Sequence, residues 1–317
     1  MIILSMITKN SYKELGRILY ETLDSTLQVP YRTLILVDDS DDSSTVNAVK
    51  KWCEEHNKEL VVSRSRLYGY HRPTRATARQ TAIDIFLENF KEEWLLFLDD
   101  DCVLNEGWWE EAKEHIPDPK VGLIWGLNYD SDPYRKIWLE RVRIDYVKYL
   151  IEQFQARGGT HDTMLRRSAV EDIFIPPELH IFEDAYIKLF VEAKGYECRV
   201  LKTGVIHKRP DRSPSRRTLE TMAKYAIMLG LEDKRYIHKW FSLFALGRTT
   251  FGSPLTILYS IKYSGGLQGL KIGIKRSVTK WLYRFYLLCY SFKCKYPENP
   301  HRLVLALSKK YKLSQLE

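Results

Sequence analysis

The chain predicts an α/β fold, a Rossmann-like and mostly parallel central sheet flanked by helices, followed by a basic, aromatic helical region. Three observations lead there. Short apolar runs alternate with helix-period segments through the first two thirds of the chain. Two of those runs end in acids: Thr33–Val37 meets Asp38, Asp39, Asp41 and Asp42, and Trp94–Leu98 meets Asp99, Asp100 and Asp101. Charge is also partitioned: from Lys202 to Glu317 there are 23 Lys and Arg against 6 Asp and Glu, a net +17, whereas the residues before carry −9 of the chain's total of +8. An acidic part suits metal ions and a basic part suits an anionic surface or substrate.

The elements follow in order. Ile2–Ile7 is a strand; MIILSMITKN lacks the basic flank and small-residue cleavage site of a signal peptide. Ser11 and Glu14 spell a capping box, predicting a helix over Tyr12–Leu27. Pro30 precedes the strand Thr33–Val37, then come a helix over Ser43–His56 and a short strand Leu60–Ser63. Thr77–Phe90 places Ala78, Ala82, Ile85 and Phe86 on one helix face. Trp94–Leu104 reads WLLFLDDDCVL, a buried strand that runs into three acids before apolar residues resume. Val121–Leu127 is a strand, Lys136–Phe154 a helix or lid element, and Gly158-Gly159 a tight turn before a strand-like run to Leu165. Phe182–Lys194 is a helix stopped by Gly195, and Cys198–Leu201 and Val205–His207 are two short strands.

From Arg216 onward, Lys and Arg cluster with Trp, Tyr and Phe. That composition predicts helices lying in a membrane interface with their charges snorkelling to phosphates; it also reads as an ordinary basic helical subdomain. The least polar stretch, Trp240–Ile261, is broken by Gly247, Arg248, Gly252 and Pro254 and falls short of the ~20 apolar residues of a spanning helix. The expected domains are therefore residues 1–215, catalytic, and 216–317, membrane-associating. A hydrophobic content of 44% with 28% charged residues excludes a disordered chain. Five scattered cysteines, Cys53, Cys102, Cys198, Cys289 and Cys294, form no CxxC pair, which argues for reduced thiols in a cytoplasmic protein.

The acids carry the chemistry. Open α/β sheets bind ligands beyond the carboxyl ends of their strands. Three adjacent carboxylates repel one another unless a cation or hydrogen-bond donors share them. Oxygen ligands beside a phosphate crevice suit Mg2+ or Mn2+. The plain alternative is a solvated acidic turn. Arg75 and Arg79, near the start of the intervening helix, would supply positive charge for phosphates.

In chain order, Ile7-Thr8-Lys9-Asn10, Val37-Asp38-Asp39-Ser40-Asp41-Asp42, Ala78-Arg79-Gln80, Asp99-Asp100-Asp101 and Glu183-Asp184 resemble the motifs of the inverting, nucleotide-sugar-dependent GT-A glycosyltransferases of family 2. The usual Pro of the first turn is missing, Gln80 stands for Asn, and Ser40 for Gly. The resemblance implies transfer of one sugar from a UDP- or GDP-sugar to an acceptor, expected to be membrane-presented or lipid-linked and either a glycan or of polyprenyl-phosphate type. It implies Mn2+ or Mg2+ as cofactor; the basic-aromatic region adds the expectation of a peripheral site on the cytoplasmic face of a membrane. By position, Thr8, Asn10 and Asp39 would contact base or ribose, Arg75 and Arg79 base or phosphates, and Asp99 and Asp100 the donor. Asp101 would bind the metal, with His207 as a further ligand. Asp184 matches the catalytic base, with Glu183 beside it. His161, followed by Asp162, matches the sugar pocket, and Arg212 the loop that closes over the diphosphate. The processive QxxRW signature is absent, so one sugar per encounter is expected.

Each residue also has a structural reading. Asp39 and Asp42 suit a helix N-cap, with Asp42 the better candidate. Glu183 and Asp184 suit a helix dipole. His161 also reads as a satisfied loop histidine and His207 as a structural one, and strand alternation turns Asp100 away from its neighbours. Two other functions were weighed. A sugar nucleotidyltransferase calls for a Gly-rich phosphate loop, yet Lys9-Asn10-Ser11-Tyr12 has no Gly until Gly16. A non-enzymatic protein binding membrane or nucleic acid would not keep acids at every expected place, and nucleic acid is not an expected partner.

Overall fold

The computed structural model describes residues 2–130, 145–208 and 214–314. It divides into two compact units. The first takes Met1–Ser131, Val147–Pro210 and Val304–Glu317; the second takes Asp132–Tyr146 and Asp211–Leu303.

The first unit is built on an eight-stranded sheet. Its elements run β1 (Ile2–Thr8), α1 (Ser11–Leu15), α2 (Arg17–Ser25), β2 (Tyr31–Asp38), α3 (Ser44–Glu55), β3 (Glu59–Ser63), α4 (Arg75–Asn89), β4 (Trp94–Leu98), β5 (Cys102–Leu104), α5 (Trp108–His115), β6 (Val121–Asp130), α6 (Tyr146–Arg157), β7 (Asp162–Arg166), α7 (Arg167–Val170), α8 (Glu183–Ala193) and β8 (Glu197–His207). The strand order is β3-β2-β1-β4-β7-β6-β8-β5. β3, β2, β1 and β4 pair in parallel, as do β6 and β8, while β7 runs antiparallel to both β4 and β6. β1 and β4 are continuous apolar runs because both faces of the sheet are covered, and Leu4, Met6, Leu96 and Leu98 join one core.

Three expectations change. The first helix is broken at Gly16, whose φ of 53° ends α1 after five residues. Its N-cap is Asn10 rather than Ser11, with no side-chain cap bond; the buried Ser11 hydroxyl donates to Asp100 instead. The run Trp94–Leu104 is two strands: β4 ends at the acids, and β5 pairs antiparallel with the end of β8, Cys102 opposite His207. The two short strands near residue 200 are one strand, β8, whose register against β6 slips between Trp125 and Leu127. The Glu111 carboxylate accepts the N–H groups of Lys202 (2.7 Å) and Thr203 (2.8 Å), so the irregular stretch leaves no orphaned donors there. A Cβ at Gly204 would lie 1.8 Å from the Leu127 carbonyl oxygen. Gly204→Ala should therefore cost about 3 kcal/mol and lower the unfolding temperature by roughly 5–10 °C, read by calorimetry. An unchanged transition would contradict this close approach.

The second unit is helical: α9 (Arg216–Met228), α10 (Lys234–Ile237), α11 (Lys239–Ser264) and α12 (Gly266–Lys293). α11 and α12 form an antiparallel hairpin turning at Gly265. The final helix, α13 (Pro300–Ser314), closes the chain, and its part from Val304 onward belongs to the first unit. There Ser308 Oγ accepts the Phe174 N–H and donates to the Phe174 carbonyl, both at 3.2 Å. Tyr186 donates to the Val304 carbonyl at 2.9 Å, and Tyr311 stacks on Phe174. This return braces the segment leading to Glu183 and Asp184. Among the described residues no helix is long and apolar enough to cross a membrane.

Candidate active site

The sheet brings the sequence-predicted acids to one corner, where β4 ends and β5 begins. Asp99 continues the ladder, donating its N–H to the His161 carbonyl at 3.0 Å. Its carboxylate is ion-paired with Arg79, on the second turn of α4. Arg79 is 1% exposed and its guanidinium lies 4.6 Å from the Phe97 ring centre. Its Nε and Nη1 are buried with no protein partner. An unpaired buried N–H costs about 1–3 kcal/mol. A ligand or water oxygen belongs at these two.

Asp100 turns into the frame. It accepts from the Thr8 hydroxyl at 3.1 Å and from Ser11, tying β4 to the β1–α1 turn. Thr8 and Asp100, both expected at the donor, are thus committed to each other and to the scaffold. Asn10 and Asp41 exchange two hydrogen bonds, at 2.8 and 3.0 Å, and Asn10 takes the positive φ of 57° that starts α1. Asp39 accepts the backbone N–H of Ser65 at 3.1 Å and its hydroxyl at 2.5 Å. Asp42 accepts the Ser44 N–H at 2.9 Å and pairs with Lys13, and those contacts hold its carboxyl far below the usual range. Its structural reading as a helix-start acid is the one the geometry favours, although Ser43 is the N-cap residue.

Asp101 faces the other way. Its Oδ2 lies 3.1 Å from His207 Nε2, and its Oδ1 accepts from the Cys102 thiol at 3.6 Å. Asp101, Cys102 and His207 offer ligand atoms within 4.8 Å of one another. Burial and the charges of Asp99, Asp101 and Asp162 push the Cys102 thiol well up, and soft sulfur is a poor ligand for the hard cations Mg2+ and Mn2+. The remaining set, one carboxylate and one imidazole, fits Mn2+ or Mg2+ with further oxygens from phosphate or water. The β5–β8 pairing makes this geometry, because it sets Cys102 opposite His207.

Glu183 and Asp184 open α8 after Phe182, which takes a left-handed φ of 71°. Burial and the adjacent Asp184 charge push the Glu183 carboxyl up; Arg75 and Arg79 oppose that shift. Burial also raises Asp184, against its hydrogen bond from the Ala185 N–H and the charges of Arg75, His161 and Arg79. Arg75, the first residue of α4 behind a Thr74–Thr77 capping box, is open to water on the wall of the cleft. Its guanidinium is held more firmly protonated by Glu183, then Asp99, Asp184 and Asp101. One cation therefore feels both groups of acids.

His161 completes the cleft. Its Nδ1 bonds Asp162, a fully buried acid whose Oδ2 also accepts the Trp108 indole N–H at 2.8 Å. Burial raises the Asp162 carboxyl, and His161, Trp108 and the Gly126 N–H work against that rise. The His161 ring is 8% exposed, packs edge-on to Phe154, and its Nε2 has no partner. Trp108, Ser11 and Cys102 were not predicted as parts of the site, whereas Asp162 was expected beside His161 in the sugar pocket. Arg212 and the loop expected to carry it at 209–213 lie outside the described residues.

A model of Glycosyl transferase family 2 matches residues 5–174, more than half of the chain. No curated protein matches it. Among solved structures, the chain is similar in fold to the mannosyltransferase PcManGT from Pyrobaculum calidifontis in complex with GDP-Man and Mn2+. The TM-score is 0.50 at 14% identity, over 99% of this chain and 83% of that one. It is likewise similar to S. aureus TarS 1–349, with a TM-score of 0.50 at 16% identity, over 99% of this chain and 91% of that one. The same TarS fragment in complex with UDP-GlcNAc gives a TM-score of 0.50 at 16% identity, over 99% and 92% of the two chains. With its motifs in order on a GT-A sheet, the chain belongs to glycosyl transferase family 2 and is a glycosyltransferase.

Proposed function

We propose that the protein moves one sugar, with inversion, from a UDP- or GDP-sugar to a lipid-linked or otherwise membrane-presented glycan or polyprenyl-phosphate-type acceptor. Residues 1–215 carry the chemistry and 216–317 the membrane association, at a cytoplasmic membrane face. One observation supports the reading above the others: Glu183, Asp99, Asp184 and Asp101 all lie within electrostatic reach of Arg75, so the two groups of acids gather about one cation. The GDP-Man, UDP-GlcNAc and Mn2+ found with the structural neighbours favour the same class of donor.

For an acceptor that attacks through a hydroxyl, Asp184 takes its proton as that oxygen attacks the anomeric carbon; a phosphate acceptor is already ionised and attacks without it. The bond to the nucleoside diphosphate breaks on the opposite face. Glu183, its carboxyl pushed up by burial and the Asp184 charge, lies within reach of Arg75. Arg79 directs its two unpaired nitrogens to donor oxygens, with Asp99 fixing its other end. Asn10 and Asp39 shape the edge for base and ribose, Thr8 and Asp100 support it, and Arg212 closes on the diphosphate. His161 presents Nε2 to a donor-sugar hydroxyl. Asp101 and His207 would hold Mn2+ or Mg2+, which supplies positive charge for the departing diphosphate.

Thermal shift with a panel of nucleotide-sugars tests this. A matching donor at ~100-fold its Kd should add about 2.7 kcal/mol of stability, in the presence of Mn2+ only. Asp101→Ala and His207→Ala should lose the Mn2+-dependent part. An unaltered Mn2+ response in both variants would refute the metal assignment.

A further inference from the structure

The α11–α12 hairpin is packed inside out. Its seam is made of small residues: a Cβ at Gly269 would sit 2.3 Å from the Ser260 carbonyl oxygen, and one at Gly273 2.7 Å from the Ile257 Cα. Ser277 extends the seam one turn further, donating to the Ser253 carbonyl at 3.4 Å. Gly269, Gly273 and Ser277 recur every four residues, so the two backbones approach closely. The large side chains face outward. On α11 Trp240, Phe244, Phe251, Leu255 and Leu258 fall on one stripe; Phe251 is 84% exposed and Trp240 75%. On α12 Leu267, Ile274, Val278, Trp281 and Phe285 make a second stripe, with Leu267 75% exposed.

The polar groups of α11 look inward upon their own helix. The hydroxyls of Thr249, Thr250, Ser253, Thr256 and Ser260 each donate to the carbonyl four residues back, at 2.8 to 3.2 Å. Water is not needed to satisfy them. Charge selects the medium outside. Between Lys239 and Lys293 there are nine Lys and Arg and not one Asp or Glu. A protein partner on this hairpin would have to match a basic surface, on which Arg284 already has an acid, Glu232; an anionic bilayer supplies phosphates at its surface and hydrocarbon just beneath.

We infer that this hairpin inserts its aromatic-aliphatic face into one leaflet of an anionic bilayer, beyond adsorbing to it by charge. The inference rests on the membrane-presented acceptor of the proposed function, and insertion is the added claim. Neither helix is apolar enough to cross, which fits a shallow hairpin.

Flotation of the full-length protein with vesicles of phosphatidylcholine and phosphatidylglycerol tests it without donor or acceptor. The wild type should stay bound in 0.5 M salt (about a 4 Å Debye length), and its tryptophan fluorescence should be quenched by lipids labelled on the acyl chain. Phe251→Glu with Leu255→Glu, both exposed, should weaken binding at least tenfold at an unchanged unfolding temperature. Complete release of the wild type by salt, without acyl-chain quenching, would overturn insertion and leave the membrane reading standing. No binding to the vesicles, or a dimer that the double variant dissociates, would overturn both. Because the quenching is read on the wild type, the outcome does not depend on a variant folding.

Discussion

Asp184→Asn is expected to lower kcat by about 10²–10⁴-fold, the range lost when a positioned base is removed. Donor affinity should change little, because the role proposed for this side chain is towards the acceptor and it does not lie at the Asp99–Asp101 corner. The substitution keeps the shape of the carboxylate and its contact with the Ala185 N–H, so stability should hold. Burial raises both carboxyls of the Glu183–Asp184 pair, and the pair loses its first proton above the usual carboxylate range. Activity in kcat/KM should therefore rise with pH through a limb displaced upward from an ordinary Asp. The stability sign is opposite. With folded values above unfolded ones, the folded state binds more protons, so stability falls as pH rises through the interval between them. Glu183→Gln should leave the activity limb where it is, because the Asp184 charge raises Glu183 and not the reverse. Steady-state kinetics across pH read both effects. If Asp184→Asn weakens donor binding and spares kcat, its role as base is wrong.

Asp162→Asn is expected to lower kcat on the order of 100-fold, as for loss of one oriented polar contact to the reacting substrate. The reason is a forced change of tautomer. Oδ2 of Asp162 receives the Trp108 N–H and lies against Gly126, and the carboxylate also accepts the Gly126 N–H. An amide there must keep its carbonyl oxygen towards those donors and turn its NH2 to His161 Nδ1. Nδ1 then becomes the acceptor, and the proton moves to Nε2. A ring nitrogen that accepts from a sugar hydroxyl would now donate towards it. Nitrogen-15 NMR of the imidazole reads the tautomer, and kinetics read the consequence. A switched tautomer with unchanged kcat would show that His161 does not touch the substrate.

Much of this site was legible because the runs that carry it are local. WLLFLDDD says that a strand ends in acids, and the sheet then sets Asp99 and Asp101 where the pattern places them. Long-range competition hid the rest. Ser11 and Glu14 satisfy a helix-capping pattern, but Asp100 takes the Ser11 hydroxyl from across the sheet. The family resemblance set His207 with Asp101, and the β5–β8 ladder is the feature that joins them. Residues 197–207 read as two strands because Gly204 and its polar neighbours look like a loop. The Glu111 carboxylate, on another helix, lets the strand continue. The basic composition of α13 matched that of α11 and α12, and it gave no sign that Ser308 and Tyr311 return to Phe174. The small-residue seam was in the sequence as Gly269, Gly273 and Ser277, but only the exposed position of Phe251 and Trp240 gave it a meaning.

Phosphorus NMR of the wild-type reaction tests the central claim most directly. The protein is incubated with the nucleotide-sugar that stabilises it, Mn2+ and a lipid extract. The account predicts release of nucleoside diphosphate, one per sugar transferred, abolished by a chelator and restored by Mn2+. Release of pyrophosphate, or nucleoside diphosphate formed equally well with the chelator present, would contradict it.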